Sequence, residues 1–263
     1  MKLKDGIIIH GPGRSGTTLL SNILALHENI GWLSNYVNKY PKIPQLTYFN
    51  RLQEIDSFEK WNRGKSGFPR ISEAYNFWLH YIPEFNEVDL KEIDAKRVQE
   101  VVRVLYKIHR CSGKSKFMTK ITGYSRHQTL AAVFDNPMVI WIDRDPLAVI
   151  ASYYKLRWGY KDKPEVFESL DKRFLLEGYT NKYLSFQKDK SNLERFSLQT
   201  VRYEDLVADT SKVCESICRF TGVSYSKNFR NKLEGWKINT STNEAYRKIL
   251  DSEDIEFIQS MLR

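Results

Sequence analysis

The sequence predicts an α/β domain built on a central parallel sheet of about five strands, with helices on both faces. Three observations carry this prediction. Short apolar runs typical of buried strands alternate with segments whose apolar residues recur at helical spacing. The first apolar run passes through a glycine-rich turn directly into a helix, as in a parallel βα unit. The chain has 263 residues, 41% of them hydrophobic, and can therefore bury a full core without disulfides or metals.

The predicted strands are the segments Gly6–His10, Ile30–Leu33, Lys116–Thr119, Met138–Ile142 and Phe196–Val201. Residues 138–142 are continuously apolar, which is typical of a strand buried on both faces. Helical spacing predicts helices over Thr17–Leu26, Ile93–His109, Thr129–Phe134, Phe167–Lys188, Val213–Phe220 and Ser252–Leu262, and Asp145-Pro146 is a typical helix start. Residues 35–85 are rich in aromatic residues and proline and lack a long period. We expect loops and short helices there, inserted into a single domain that spans residues 1–263.

The charge balance indicates an anionic partner. Lysine and arginine number 41 against 32 acidic residues, a net charge of +9. The basic residues are spread along the chain without a basic tail, which disfavours a nucleic-acid partner. No apolar run approaches the roughly 20 residues that span a bilayer. We therefore expect a soluble protein with no membrane span.

The cysteines and histidines bear on location and on metals. Cys111, Cys214 and Cys218 cannot all pair within the chain and lack C-x-x-C spacing, so we expect a reducing compartment such as the cytoplasm. The five histidines show no metal-ligand spacing, and no metal is expected.

The segment GPGRSGTT, residues 11–18, is the first chemical motif. Its glycines allow main-chain N–H groups to point at one anion, and the following helix N-terminus adds its dipole. Gly11 and Gly16 match the spacing of the ATP-binding loop G-x-x-x-x-G-K-[ST], but Thr17 replaces the lysine and argues against ATP or GTP hydrolysis. The alternative is a turn that only joins strand to helix. The candidate anion ligands are Gly13, Arg14, Ser15, Gly16, Thr17 and Thr18.

The second chemical motif lies in residues 139–154, where a buried strand delivers Arg144 at its carboxyl end. Open α/β sheets bind ligands at that end of their strands. Ser152 follows eight residues later, two turns into the next helix, so both side chains can face one anion. The alternative is that Arg144 pairs with a neighbouring aspartate and that Ser152 is a packing residue.

Together, the two motifs resemble the sulfotransferase family, which uses 3′-phosphoadenylyl sulfate (PAPS) as donor. The resemblance rests on the Arg-Ser-Gly-Thr loop after the first strand and on an Arg-Asp-Pro helix start with a serine eight residues after the arginine. The segment from Lys120 through Tyr154 and residues 201–206 also look like that family, so the likeness covers scattered segments from about residue 6 to 208. It implies a P-loop-like three-layer sandwich and an enzyme that moves a sulfuryl group to a hydroxyl or amine, releasing 3′-phosphoadenosine 5′-phosphate (PAP).

The resemblance also implies residue roles. The first loop would hold the 5′-phosphosulfate, with Arg14 stabilising charge on the oxygen that leaves sulfur. Arg144 and Ser152 would bind the 3′-phosphate, and no metal would be needed. Arg202 and Tyr203 would support the nucleotide site, while Trp236 and Lys237 would form part of a late loop over the nucleotide.

Acceptor activation requires a general base. Residues 118–122, where family branches carry a histidine or an acid, have neither. Our first candidate is Glu73, because some bacterial members resemble this chain in having a glutamate in that aromatic segment. His80, seven residues on and expected on the same helix face, is the second. A solvated helix cap and a surface histidine are the respective alternatives, and His10 is expected to be structural.

The acceptor is expected to be a small molecule, a carbohydrate or a lipid, bound beside residues 35–85; the sequence specifies no oligomeric state. Trp158 would either line the acceptor pocket or pack in the core. Two other functions stay open. One is a P-loop kinase in which Thr18 and Asp143 hold Mg²⁺. The other is a degenerate protein that only binds nucleotide or polyanions.

Overall fold

The computed structural model describes residues 2–54, 68–87, 93–236 and 244–263. Its centre is a five-stranded parallel sheet with strand order β3-β4-β2-β6-β7, and β1 and β5 form a separate parallel pair. The strands are β1 Leu3–Lys4, β2 Gly6–Gly11, β3 Ile30–Trp32, β4 Lys116–Thr122, β5 Phe134–Asp135, β6 Met138–Asp143 and β7 Ser197–Arg202. The predicted α/β class and the five-stranded parallel sheet are therefore confirmed.

Helices connect the strands and cover both faces of the sheet. In the described part of the chain the α-helices are α1 Thr17–Leu24, α2 Asn35–Lys39, α3 Tyr75–Tyr81, α4 Ala95–Ser112, α5 His127–Val133, α6 Pro146–Lys155, α7 Pro164–Ser169, α8 Lys172–Asp189, α9 Tyr203–Ala208, α10 Thr210–Thr221, α11 Lys227–Glu234 and α12 Ser252–Leu262. Short 3-10 helices cover Pro44–Glu54, Pro83–Asn86, Lys190–Leu193 and Ala245–Lys248.

The central strand β2 explains why its sequence is apolar without alternation. Ile8 packs into the core on one face of the sheet, while Ile7 and Ile9 pack into the core on the other, and all three are fully buried. A strand covered on both faces needs apolar side chains at every position. The first core is rich in aromatic residues and includes Trp78 stacked on Phe85, with ring centroids 5.1 Å apart.

The strand register brings the site-forming segments to one edge of the sheet. Gly11 at the end of β2 lies beside Thr122 at the end of β4, and Asp143 at the end of β6 lies beside Arg202 at the end of β7. β2 and β6 are direct neighbours. The loops that leave these strands therefore start side by side.

Two helix predictions need correction. Phe134 does not end a helix but begins β5, where it pairs with β1. Residues 167–188 do not form one helix, because Leu170 is extended and separates α7 from α8. The Asp171 side chain accepts hydrogen bonds from the backbone N–H groups of residues 173 and 174, which starts α8 anew.

The remaining helix boundaries follow their predicted signals. Ser252–Leu262 is confirmed and begins with a capping box between Asp251 and Asp254. Asp145 caps α6, and Gly222 ends α10 with a φ of 70°. The described parts of residues 35–85 form short helices and loops, as predicted.

No helix in the four described ranges combines the length and the apolar character that a bilayer crossing requires. All three cysteines are free, and Cys214 and Cys218 are buried, where burial raises the thiol pKa values to about 12 and about 11. The cytoplasmic location stays a prediction.

His10 is a fully buried polar residue of the central strand. Its Nε2 atom donates a hydrogen bond to the Tyr124 carbonyl oxygen at 3.0 Å, and its ring stacks on Trp141 at 5.4 Å. Burial, reinforced by the nearby positive charge of Arg126, lowers the pKa of His10 to about 3; Asp189 opposes this shift. The ring is therefore neutral in the folded protein, as its expected structural role requires.

Two glycine-to-alanine changes should alter stability in opposite directions. Gly222 has a positive φ, and a Cβ there would meet open space, so Gly222→Ala should lower the free energy of unfolding by about 1 kcal/mol through backbone strain alone. Gly178 lies inside α8, and a Cβ there would also meet open space. Because alanine has a higher helix propensity than glycine, Gly178→Ala should raise the free energy of unfolding by about 0.5–1 kcal/mol. Urea unfolding of both variants checks this, and changes of the same sign would contradict it.

The buried neutral His10 should make the fold sensitive to acid. Below pH 6.5 the unfolded chain binds a proton at this residue that the folded protein does not, so stability falls as the pH drops from 6.5 towards 3. Between pH 7 and pH 5 this loss should be about 2 kcal/mol. His10→Gln keeps an N–H donor but does not titrate. Unfolding free energies at both pH values should show the wild type losing more stability than the variant, and equal losses would refute the assignment.

Candidate functional site

The loop between β2 and α1 is shaped by its own hydrogen bonds and by one close approach. The Ser15 hydroxyl and amide both donate to the Pro12 carbonyl oxygen, at 2.7 and 3.2 Å. Gly16 has a φ of 105°, and a Cβ there would overlap the ring of Tyr203. Glycine is therefore required at this position, and the buried Ser15 side chain stabilises the loop rather than pointing its proton at a ligand.

Two arginines join this loop to the second motif. The exposed Arg14 has a φ of 68°, and its Nε donates to the Ser152 hydroxyl on α6 at 3.0 Å. Arg144 follows β6, and its Nη1 donates to the Arg14 carbonyl oxygen at 3.0 Å. The structure thus brings Arg14 of the first motif into contact with Arg144 and Ser152, the two residues of the second motif that were expected to face one anion.

Tyr203 lies at the centre of this arrangement. The Arg144 guanidinium lies over the Tyr203 ring at 4.2 Å from its centroid. Burial lowers the pKa of Arg144, although Tyr203 and Glu204 oppose the shift. Arg202, by contrast, has a largely exposed side chain that contacts Glu204 at 3.8 Å. Of the two residues predicted to support the nucleotide site, Tyr203 contacts the loop and Arg202 faces Glu204.

The acidic residues that flank Arg144 have partners of their own. Asp143 accepts a hydrogen bond from Gln187 at 2.9 Å, and Asp145 accepts one from the Leu147 amide at 2.8 Å. Glu204 in turn accepts a hydrogen bond from the Asp145 amide at 3.0 Å. These bonds hold the β6–α6 turn, from which Arg144 reaches the loop.

Glu73 is linked to the first turn of α1 by an ion pair with Lys120. Its carboxylate lies 3.2 Å from the Lys120 ammonium, which donates a hydrogen bond to the Thr18 hydroxyl at 3.0 Å. Lys120 is only 5% exposed, on the strand next to β2. A carboxylate from residues 35–85 is thereby placed beside the first turn of α1.

Lys120 was missed as a site residue by the sequence analysis. The available signal was its position in a strand among apolar residues, since a lysine is rarely buried without a partner. The partner lies 47 residues away in sequence, and no local pattern links Glu73 to Lys120.

The expected common helix face of Glu73 and His80 is wrong. Glu73 precedes α3, whose N-cap is Ala74 with a φ of 54°, so Glu73 is not part of the helix. His80 is exposed near the end of α3, with its ring edge-on to Tyr81 at 4.8 Å. The structure therefore brings Glu73, and not His80, into contact with the network around Thr18.

Trp158 packs against a neighbouring aromatic ring and also lines a groove. Its ring stacks on Tyr153 with centroids 4.1 Å apart and lies 3.5 Å from the position of a Cβ on Gly13. It also lines a groove of about 380 Å³ beside the loop. The other lining residues are Gly159, Tyr160, Phe174, Leu175, Gly178, Tyr179 and Lys182. The sequence analysis missed the α8 members of this set, because their helical spacing is equally typical of core packing.

The late loop is described only in part. Trp236 packs at the edge of the core that covers α1. Lys237 lies outside the described residues. Within those residues, no three acidic, histidine or cysteine side chains cluster in a way that could hold a metal ion.

Comparisons with known proteins agree with this geometry. A family model described as the Sulfotransferase family matches residues 6–227. The search of curated proteins finds no match.

Solved structures share the fold across this chain. The sulfotransferase STF9 from Mycobacterium avium has a TM-score of 0.69 at 17% identity, covering 100% of this chain and 76% of that one. The sulfotransferase domain of the Synechococcus PCC 7002 olefin synthase has a TM-score of 0.56 at 20% identity, covering 100% and 96%. Mouse sulfotransferase SULT7A1, complexed with PAP, has a TM-score of 0.50 at 12% identity, covering 99% and 84%.

These similarities confirm the predicted P-loop-like fold and the expected class of enzyme. The family model spans both chemical motifs and the strands that carry them. Because it matches most of the chain, this protein belongs to the sulfotransferase family.

Proposed function

We propose that this protein transfers a sulfuryl group from PAPS to a hydroxyl or amine of a small-molecule, carbohydrate or lipid acceptor, with PAP as the second product. The observation that carries the proposal is the contact of Arg14 with both Ser152 and Arg144. Because of this contact, the guanidinium groups of Arg14 and Arg144 and the Ser152 hydroxyl lie beside the glycine-rich loop between β2 and α1. The likeness to a sulfotransferase complexed with PAP supports this choice of donor.

The loop is suited to the 5′-phosphosulfate of the donor. α1 begins at Thr17, so the main-chain N–H groups of Gly16, Thr17 and Thr18 belong to an unsatisfied helix N-terminus. The main chain of Gly13 and Ser15 completes the turn. Arg14 supplies a fixed positive charge where the oxygen between phosphorus and sulfur gains negative charge as its bond to sulfur breaks.

Arg144 and Ser152 would bind the 3′-phosphate, with Tyr203 and Arg202 in support. An arginine fork and a hydroxyl are a suitable pair of donors for a phosphate. Both residues also contact Arg14. Binding of the 3′-phosphate would therefore affect the loop that is proposed to bind the 5′-phosphosulfate.

Glu73 is the proposed general base, with His80 as the second candidate. As the acceptor oxygen or nitrogen bonds to sulfur, its proton passes to the Glu73 carboxylate, and the leaving oxygen keeps the electron pair of the broken bond. Lys120 orients this carboxylate and adds positive charge beside Thr18. The exposed ring of His80 lacks a comparable contact with the loop.

The other functions are less consistent with the site. In a kinase, Thr18 would ligate Mg²⁺, yet here its hydroxyl accepts a hydrogen bond from the cationic Lys120. The Asp143 carboxylate, the other expected Mg²⁺ ligand, accepts a hydrogen bond from the Gln187 side chain. A degenerate binding protein would not need the Glu73–Lys120 pair beside the loop. Because residues 35–85 supply Glu73, we also propose that they form one domain with the sheet.

Binding of PAP should depend on its 3′-phosphate, and on Arg144. By calorimetry in EDTA, PAP should bind at least tenfold more tightly than AMP or ADP, because two donors are dedicated to that phosphate. Arg144→Ala should weaken PAP binding about 10–100-fold and reduce the preference over AMP. Arg219→Ala, which removes an exposed arginine of α10, is the matched control. A preference that survives Arg144→Ala would overturn the assignment of this residue.

Removal of the Glu73 carboxylate should slow turnover without impairing nucleotide binding. Glu73→Gln should lower kcat about 10²- to 10⁴-fold, the usual range for loss of a general base, with PAP affinity nearly unchanged. His80→Gln should change kcat only a few-fold. Transfer of radiolabelled sulfate from PAPS, combined with PAP calorimetry, measures both quantities. If His80→Gln proves the more damaging change, the roles must be exchanged.

A further inference from the structure

The groove beside Trp158 is contiguous with the proposed reaction centre. The Trp158 ring lies 3.5 Å from where a Cβ on Gly13 would be, in the loop between β2 and α1. On its other side, Trp158 lies 6.2 Å from the Phe186 ring, which in turn approaches Gly123 at the exit of β4. Gly123 donates a hydrogen bond to the Gly11 carbonyl oxygen at 3.0 Å. The inner end of the groove therefore lies next to the two strand ends that form the site.

The body of the groove is apolar and elongated. Leu175, Tyr179 and Lys182 follow one face of α8, and Phe174 lies at its outer end with 59% of its surface exposed. From residue 174 to residue 182 a helix rises about 12 Å. The Tyr179 hydroxyl donates to the Trp158 carbonyl oxygen at 3.0 Å. The groove thus offers few free polar groups to a sugar, but a large apolar surface to a chain or ring system.

Lys182 supplies a positive charge at the inner end. Its ammonium lies 4.6 Å from the centroid of the Tyr124 ring and 5.1 Å from that of Phe186, and it donates to the Tyr124 hydroxyl at 3.3 Å. Among the described residues, no carboxylate lies within 4.0 Å of this ammonium, and none of the groove's lining residues is acidic. The two aromatic rings hold a half-buried cation that lacks an anionic partner there.

We propose that this groove binds an acceptor that is an anionic amphiphile, with its charged group on Lys182 and its apolar body along α8 towards Phe174. The proposal rests on the proposed sulfotransferase function and selects one acceptor class from the three that it leaves open. Because Lys182 is at the loop end, the charge of the acceptor lies near its reacting oxygen rather than at the far end of the molecule.

A matched pair of ligands tests the binding site without the nucleotide. Decanoate and decanamide have the same chain and differ in charge. By calorimetry, decanoate should bind about tenfold more tightly than decanamide, since a charge-assisted hydrogen bond is added. Lys182→Met should remove this preference and retain decanamide binding, and Lys182→Arg should keep it. Lys188→Met, an exposed lysine of the same helix, should behave as wild type. Equal affinities for the two ligands in the wild type would overturn the proposal.

The position of the charge is tested with hydroxylated ligands. In a transfer assay with PAPS, 2-hydroxydecanoate should accept sulfate, and 10-hydroxydecanoate, whose hydroxyl would lie at the Phe174 end, should bind but not react. Transfer only to 10-hydroxydecanoate would refute the stated orientation. Selective decanoate binding, together with no transfer to either acid but transfer to a neutral alcohol, would refute the groove as the acceptor site. If the wild-type protein neither binds PAP nor transfers sulfate to any acceptor tested, the proposed function itself is overturned.

Discussion

The tie between the loop after β2 and the turn after β6 is the interaction on which the site depends. Arg144 donates to the Arg14 carbonyl oxygen, and Arg14 donates to Ser152, so two segments separated by more than a hundred residues hold each other. The tie is possible because β2 and β6 are adjacent parallel strands that end at the same edge of the sheet. It also maintains a loop in which Arg14 and Gly16 both have positive φ. Without it, the residues proposed to bind the donor would not be held close together.

A second constraint is the burial of Lys120. Taking an ammonium out of water is costly unless a partner compensates for it, and the partners are Glu73 and Thr18. The same contacts that make this buried charge tolerable place a carboxylate beside the first turn of α1. The stability of the β4 region and the position of the proposed base therefore have one origin.

The proposed donor loop and the proposed acceptor groove are built from different parts of the fold. The loop after β2 depends on main-chain geometry and on two arginines, whereas the groove depends on aromatic side chains of α8 and of the segment after α6. Trp158 borders both regions, since its ring lies 3.5 Å from where a Cβ on Gly13 would be and it also lines the groove. If the groove selects the acceptor as proposed, changes along α8 should alter acceptor choice without disturbing the loop.

The sequence by itself determined the features that depend on near neighbours in the chain. Apolar runs located the five strands, and caps such as Asp145 and Gly222 located helix ends, because burial and terminal hydrogen bonds constrain residues over a few positions. The motifs around Arg14 and Arg144 were recognised for the same reason. Where a local signal was overlooked, as with the Asp171 cap, the prediction merged α7 and α8.

Only the tertiary structure decided which distant residues meet. The pairing of Glu73 with Lys120, the position of Trp158 next to Gly13 and the unpaired charge of Lys182 among the described residues all depend on how strands and helices pack in space. Glu73 and His80 illustrate the limit, since their spacing of seven suggested one helix face until α3 proved to begin at Tyr75. Side-chain contacts of this kind arise from long-range packing, which leaves no periodic signal in the chain.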